Sequence, residues 1–330
     1  MKIPPIGMGY FHCHWYVTTR CNSRCATCTI WKDPKYKSQE SSLAERIAIL
    51  HQLKQMGFKS IDFTGGEPLL YKGLPALIRR ARRLGFFTSL TTNGTLYPRY
   101  AEALRGTLVA LSFSLDGPDA ETHDVIRGIK CYDNTIRSII LARKLGEMVM
   151  LKTTVCNDNV SVIPKILELA ARYGVLVELN PEFAYFGNPP LADDHLFQLF
   201  KWWKHPNVIV SHAHLRFMLD KGNDIRRSKC PVGTGVLVLA PDNGLYFPCM
   251  HYVQTVLPLK NLDIRATLAT TTAHAEIQKV GHYEFCQQCT IPCYFEASYF
   301  TQVDKYWPIC IKSRLGYLRK RAILGIKRQL

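Results

Sequence analysis

The sequence predicts an α/β fold built on parallel strands. Two observations carry that reading. Short β-type apolar runs alternate with longer helical ones from the N-terminus to about residue 181, and most of the helical runs close on a glycine. His14 to Thr18 is the first strand, and Leu43 to Met56 is a helix stopped by Gly57. Ser60 to Phe63 and Leu74 to Leu84 with Gly85 repeat the unit, followed by Phe87 to Thr91 and Arg99 to Leu104. Val109 to Ser114, Ile136 to Leu145 with Gly146, Met148 to Val155, Ile163 to Tyr173 with Gly174, and Leu176 to Leu179 complete the series. Strands separated by helices pair in parallel through right-handed crossovers, giving an open doubly wound sheet or a full or partial barrel. In either, chemistry gathers at the C-terminal ends of the strands.

The 330 residues suffice for one large domain plus a smaller one. An apolar share of 47% with 21% charged residues sets aside disordered, collagenous and low-complexity classes. Lys and Arg number 42 against 26 Asp and Glu, a net charge of +16 that favours an anionic partner without choosing among nucleic acid, membrane and acidic small molecule. Twelve cysteines are too few for a disulfide scaffold, and they cluster, which suggests metal. The first residues carry one basic side chain, Lys2, with Pro4 and Pro5, and do not read as a signal peptide. No apolar run reaches the length of a membrane span. A reducing cytoplasm is the expected compartment.

After residue 187 the pattern changes. Asp193 to Trp203 is helical, and a basic, less periodic linker runs to Lys229. Val236 to Leu239 and Leu245 to Phe247 flank Pro241-Asp242-Asn243-Gly244, a hairpin with Cys230 before it and Cys249 at its end. The tail from Lys312 carries Lys312, Arg314, Arg319, Lys320, Arg321, Lys327 and Arg328 and no acid. Leu315, Leu318, Ala322, Ile323 and Ile326 give it helical spacing, weakened by Gly316 and Gly325. It reads either as a terminal helix packed on the hairpin module or as a helix that seeks an anionic membrane surface.

Cys21-x3-Cys25-x2-Cys28 follows the first strand at the catalytic rim. Soft thiolates suit zinc or an iron–sulfur cluster. Zinc needs a fourth ligand, for which His12 or His14 is the local candidate, whereas three cysteines on a four-iron cube leave one iron open. The triplet resembles the defining motif of the radical S-adenosylmethionine (radical SAM) superfamily, in which the open iron is chelated by the ligand's amino and carboxylate groups. Gly65-Gly66-Glu67-Pro68 looks like that family's GGE motif; glycines allow close backbone approach and Glu67 complements an ammonium. Thr92-Asn93-Gly94, Ser112-Phe113-Ser114-Leu115-Asp116-Gly117 and His123-Asp124-Val125-Ile126-Arg127-Gly128 agree with the resemblance. It implies that Ser114, Asp116 and Arg127 join Gly65 to Pro68 around S-adenosylmethionine (AdoMet), Arg127 offering a fork for a carboxylate. Arg127 read alone is also compatible with an ordinary ion pair. Thr27 stands where the family is often aromatic, and Cys131 reads as a buried thiol.

The resemblance covers residues 12 to 182 and implies a partial (β/α)6 TIM-like barrel followed by a small hairpin-containing Fe–S module. Residues 1–187 would form the core, 188–229 a helical linker, 230–311 the module and 312–330 the basic tail. Cys230-x13-Gly244-x4-Cys249 looks like the opening of the SPASM and twitch extensions, which hold auxiliary iron–sulfur clusters. One auxiliary [4Fe–4S] cluster on Cys230, Cys249, Cys286 and Cys289 is implied, with Cys293 and Cys310 as substitutes or partial ligands. A zinc knot on the same sulfurs is the alternative. His212 and His214 could share one face of a strand, as could His12 and His14. Cys156, Asn157 and Glu182, near the ends of the fifth and sixth strands, are further candidates to face the cavity.

The resemblance implies a radical enzyme whose reduced cluster cleaves AdoMet to a 5′-deoxyadenosyl radical that takes hydrogen from a substrate. A flavodoxin- or ferredoxin-like donor would supply the electron. The short segment before the first strand argues against a leader-peptide domain, so ribosomal-peptide maturation would need a separate leader-binding protein. The basic balance favours an acidic, partly apolar small molecule: a tetrapyrrole, a quinone precursor or an isoprenoid lipid. RNA modification by the same chemistry and a zinc-dependent nucleic-acid-binding protein are the remaining alternatives, though no reader motif supports the latter.

Overall fold

The computed structural model describes residues 12–36, 39–183 and 188–323. The alternating units form in order: β1 (His12–Thr18), α1 (Leu43–Gln55), β2 (Ser60–Gly65), α2 (Leu74–Arg83), β3 (Phe87–Thr92), α3 (Tyr97–Leu104) and β4 (Ala110–Ser114). Then come α4 (Ala120–Arg127), α5 (Tyr132–Lys144), β5 (Val149–Val155), α6 (Ile163–Tyr173) and β6 (Leu176–Pro181). A capping box starts α1: the Ser42 hydroxyl accepts from Glu45 N, and the Glu45 carboxylate accepts from Ser42 N. Helix α4 is absent from the sequence reading. Its only buried side chain is His123, so no apolar stripe betrays it.

Strands β1 to β6 pair in parallel, in sequence order. The register aligns His14 with Asp62, Asp62 with Ser89, Ser114 with Lys152, and Lys152 with Glu178. Because side chains alternate, one face of the sheet is polar while Trp15, Phe63, Leu90, Phe113, Leu151 and Leu179 point the other way into the helical layer. That core is continuous, and Trp15 and Phe63 stack within it at 6.1 Å.

Beyond β6 lie α7 (Asp193–Trp202), β7 (Val208–Ile209), α8 (His212–Leu219), β8 (Val236–Leu239), β9 (Leu245–Phe247) and β10 (Thr255–Leu257). The chain continues through α9 (Ile264–Leu268), α10 (Thr271–Lys279), α11 (Pro292–Thr301) and α12 (Trp307–Ile323). The hairpin forms where expected, with Ala240 N donating to Gly244 O. It does not stand apart from the barrel. Strand β8 pairs in parallel with β1, His12 opposite Val236, so among the described residues one ten-stranded sheet runs β10-β9-β8-β1-β2-β3-β4-β5-β6-β7. Arg46, fully buried in α1, ties the join: its Nη2 donates to Val17 O and Pro241 O, and its guanidinium lies 3.9 Å from the Tyr71 ring centre. With β10 and β7 as its edges the sheet stays open, the partial barrel expected.

Helix α11 closes on the polar face, where His14 Nε2 lies 2.8 Å from Cys293 O and the His14 and Tyr294 rings meet edge to face. His212 and His214 sit on α8, not on a strand; Ser211 caps that helix and His214 is buried against the Tyr299 hydroxyl. No helix among the described residues is long and apolar enough to cross a membrane. The tail expected from Lys312 is the C-terminal part of α12, and residues 324–330 lie outside the described residues.

Candidate active site

The loop after β1 brings Cys21, Cys25 and Cys28 to one cavity of about 260 Å³ at the C-terminal rim, shared with Gly65, Gly66, Glu67, Ser114 and Arg127. The neighbouring motifs clamp this loop. Gly66 N donates to Thr18 O and Glu67 N to Arg20 O, both at 2.8 Å. A Cβ on Gly65 would lie 2.1 Å from Thr18 O, and one on Gly66 2.3 Å from Arg20 O. The glycines therefore let two stretches of backbone meet, beside whatever they offer a ligand. Asn93 Nδ2 donates to Asn22 Oδ1 and Ser23 Oγ. From the end of α4, Arg127 O and Ile126 O accept from Arg24 N and Ala26 N, and a Cβ on Gly128 would collide with Arg24 O at 2.4 Å.

Burial pushes the Cys21 thiol up to about 11 and Cys28 to about 12. Such thiols lose their protons readily only to a cation that takes their place. Neither local histidine offers a fourth ligand, since neither lines this cavity: His12 Nδ1 lies 2.7 Å from Ser60 Oγ, and His14 lies between Asp62 and Cys293 O. Three converging thiols fit a cube with one open iron better than a closed zinc site.

Glu67 is buried, and its carboxylate accepts from Leu69 N, Thr92 Oγ1 and Asn93 N. Burial raises its pKa against those bonds. Arg127 Nη2 meets Asp116 Oδ2 at 2.8 Å, and Nη1 lies 3.5 Å from Cys25 Sγ. Burial opposes its charge, and Asp116, Cys25 and Cys131 together outweigh burial, holding the guanidinium protonated. Its Nε is buried with no partner in the structure, a donor available to a bound group. Asp116 itself does not line the cavity but stands behind Arg127 and accepts from Thr154 N. Pro68 is likewise buried outside the lining and opens a short 3-10 turn.

Of the three candidates near the later strand ends, only Glu182 reaches the cavity. Cys156 is buried, and Asn157 turns to Pro190 O, Ala192 N and His195. Glu182 is 5% exposed and its Oε1 has no partner. Burial, then Asp158 and Asp116, push its carboxyl up to about 7. Between the ordinary 4.5 and about 7 the folded chain holds a proton that the unfolded chain has lost, so stability falls as pH rises through that window. Glu182→Gln is expected to flatten that part of a melting-temperature profile against pH; identical slopes in both proteins would refute the assignment. Ile30 and Trp31, also on the cavity wall, were missed because an irregular loop has no period to read.

A second, small cavity is lined by Cys230, Cys249, Cys286 and Cys289, drawn from either side of the hairpin and from the turn after α10. Asn223 Nδ2 braces it through Gly281 O and Cys286 O. Burial raises the thiols of Cys230, Cys249 and Cys286, Cys249 to about 12 and Cys286 to about 11. Cys293 and Cys310 do not line it. Cys293 sits with Lys152, Asp62 and Glu178 as its charged neighbours, and Cys310 is buried among Phe217, Tyr299 and Tyr306. A third set, His123, Asp124 and Cys131, brings ligand atoms within 4.8 Å of one another. There His123 Nδ1 accepts from Asp116 N, which leaves the ring proton on Nε2 and no free lone pair for a metal.

Residues 15–178 match the model of the Radical SAM superfamily. An AdoMet-dependent heme synthase of Oleidesulfovibrio alaskensis is 34% identical over 288 residues, 82% of this chain and 74% of that protein. An Fe-coproporphyrin III synthase of Methanosarcina barkeri is 38% identical over 161 residues, 47% of this chain and 39% of that one. Among solved structures, Streptococcus suis SuiB bound to precursor peptide SuiA superposes with a TM-score of 0.67 at 14% identity, over 82% of this chain and 67% of that one. Native anSMEcpe with bound AdoMet gives 0.62 at 16%, over 96% and 99%. At such identities the two structures establish the fold alone. The family match over residues 15–178 and the 34% identity over 82% of the chain place it in the radical SAM superfamily, as an enzyme that uses a [4Fe–4S] cluster and AdoMet.

Proposed function

We propose that this radical SAM enzyme takes hydrogen from a side chain of a carboxylated tetrapyrrole. The observation that carries the substrate class is the extent of the match to the heme synthase: its 288 residues run well past the 15–178 of the superfamily core, into the cysteine-bearing region after the barrel. In this reading Cys21, Cys25 and Cys28 hold the AdoMet-binding cluster. Once reduced and loaded, that cluster supplies the 5′-deoxyadenosyl radical. Glu67 faces the ligand's ammonium, Ser114 and the free Arg127 Nε face its carboxylate and ribose, and Asp116 keeps Arg127 charged and oriented. Cys230, Cys249, Cys286 and Cys289 would hold an auxiliary [4Fe–4S] cluster, which would supply an acceptor for the electron left on the substrate and make the net reaction an oxidation.

Residues 1–187 serve as the cleaving core and 230–311 as the auxiliary unit, linked by 188–229, with 312–330 as the basic tail. The cysteine usage suits a reducing cytoplasm. A net charge of +16 suits an acidic flavodoxin- or ferredoxin-like donor and contact with an anionic membrane surface. The test is anaerobic turnover of the reconstituted protein with AdoMet and reductant, with iron coproporphyrin, metal-free coproporphyrin or no addition. Tetrapyrrole-dependent 5′-deoxyadenosine with a matching mass loss from the tetrapyrrole is expected. AdoMet cleavage indifferent to either porphyrin, with both recovered unchanged, would overturn the substrate class.

A further inference from the structure

Helix α12 is held to the body in one rotation about its axis. On its inner side Cys310 packs into the Phe217, Tyr299 and Tyr306 cluster. Gly316 brings the backbone against Trp203, whose ring would lie 3.5 Å from a Cβ at that position. Lys320 Nζ donates to the carbonyls of Trp203 and Val208. These anchors dictate which residues face outward. At 3.6 residues per turn, Trp307, Ile311, Leu315, Leu318 and Ala322 fall on one stripe opposite them. Leu315 is 63% exposed, Leu318 49% and Trp307 38%. Exposed Lys312 and Arg319 border that stripe on one side and exposed Arg314 on the other. No acidic residue follows Asp304.

An apolar stripe with cations along both edges matches the two layers of a lipid surface, acyl chains beneath the stripe and headgroups beside the cations. A purely solvated face would not expose two leucines and a tryptophan in line. An acidic soluble protein would meet the cations but leave the aliphatic centre unmatched. We propose that the outer face of α12 lies on an anionic lipid bilayer, with Leu315 and Leu318 in the acyl boundary and Lys312, Arg314 and Arg319 among anionic headgroups. The contact would hold the enzyme at a surface where partly apolar substrates partition, and it does not depend on the tetrapyrrole reading.

The test is flotation of the intact, iron-loaded protein with vesicles of phosphatidylcholine alone or with one-third phosphatidylglycerol. Partitioning onto the anionic vesicles is expected, with a loss at high salt. Changing Lys312, Arg314 and Arg319 together to Gln is expected to weaken it about 100-fold. Leu315→Gln with Leu318→Gln is expected to weaken it at least about tenfold. Circular dichroism and iron content establish that each variant is folded. The proposal falls if the unaltered protein stays with the bottom fraction at low salt, or if the leucine variant floats equally well, which would leave only bulk charge. It also falls if the unaltered protein is a dimer that the leucine variant dissolves, which would give this face to a second copy.

Discussion

With Cys21, Cys25 and Cys28 replaced together by alanine, 5′-deoxyadenosine formation is expected to fall to background, a loss of at least about 10³-fold, since removing the cluster removes the chemistry itself. Iron content is expected to drop from about eight to about four atoms per chain, because the four-cysteine cavity is separate. Liquid chromatography of anaerobic reaction mixtures and a colorimetric iron assay read the two quantities. Their combination matters. Activity lost with all the iron would mean that the fold had failed, whereas activity retained would remove the triplet from the reaction.

Arg127→Met should produce the largest structural cost of any single change at the rim. It leaves Asp116, 3% exposed at its side chain, without its partner at 2.8 Å. Breaking a buried pair from one side costs about 3–5 kcal/mol, which for a chain of 330 residues corresponds to a melting-temperature drop of roughly 4–7 °C. Adding Asp116→Asn should restore part of that stability by removing the stranded charge. It should not restore AdoMet binding, measured by equilibrium dialysis, if the partnerless Nε serves the ligand. Recovery of both in the double variant would reduce Arg127 to a brace for the cysteine loop.

The alternation of β and helical runs made β1 to β6 legible because one face of each strand meets the helical layer and the other stays polar. The cysteine triplet and the glycine pair were legible from spacing, and the four cysteines of the second cavity from the resemblance to the twitch extensions. What those motifs do for one another was not. That Gly65 and Gly66 abut the Thr18–Arg20 backbone, or that Gly128 clears Arg24 O, depends on contacts between distant segments. Helix α4 escaped because only His123 is buried on it, and α8 because Ala213, His214, Leu215 and Phe217 are all buried, which blurs a one-sided pattern. Cys293 and Cys310 could not be sorted from the other cysteines by spacing, since α11 carries one toward the polar face and α12 carries the other into an aromatic cluster. The pairing of β8 with β1 has no local signal at all.

That pairing also fixes an order of events during synthesis. His12 lies opposite Val236, so β1 leaves the ribosome long before its outer neighbour exists. At elongation rates of roughly 5–20 residues per second, the delay is on the order of 10–45 s. Throughout that interval β2 to β6 can assemble on one side of β1 while its other ladder of amides and carbonyls stays unsatisfied, the situation in which nascent chains associate edge to edge. The loop that presents Cys21, Cys25 and Cys28 hangs from this same strand. Shielding of the growing sheet is thereby made to wait on the arrival of Val236 to Leu239.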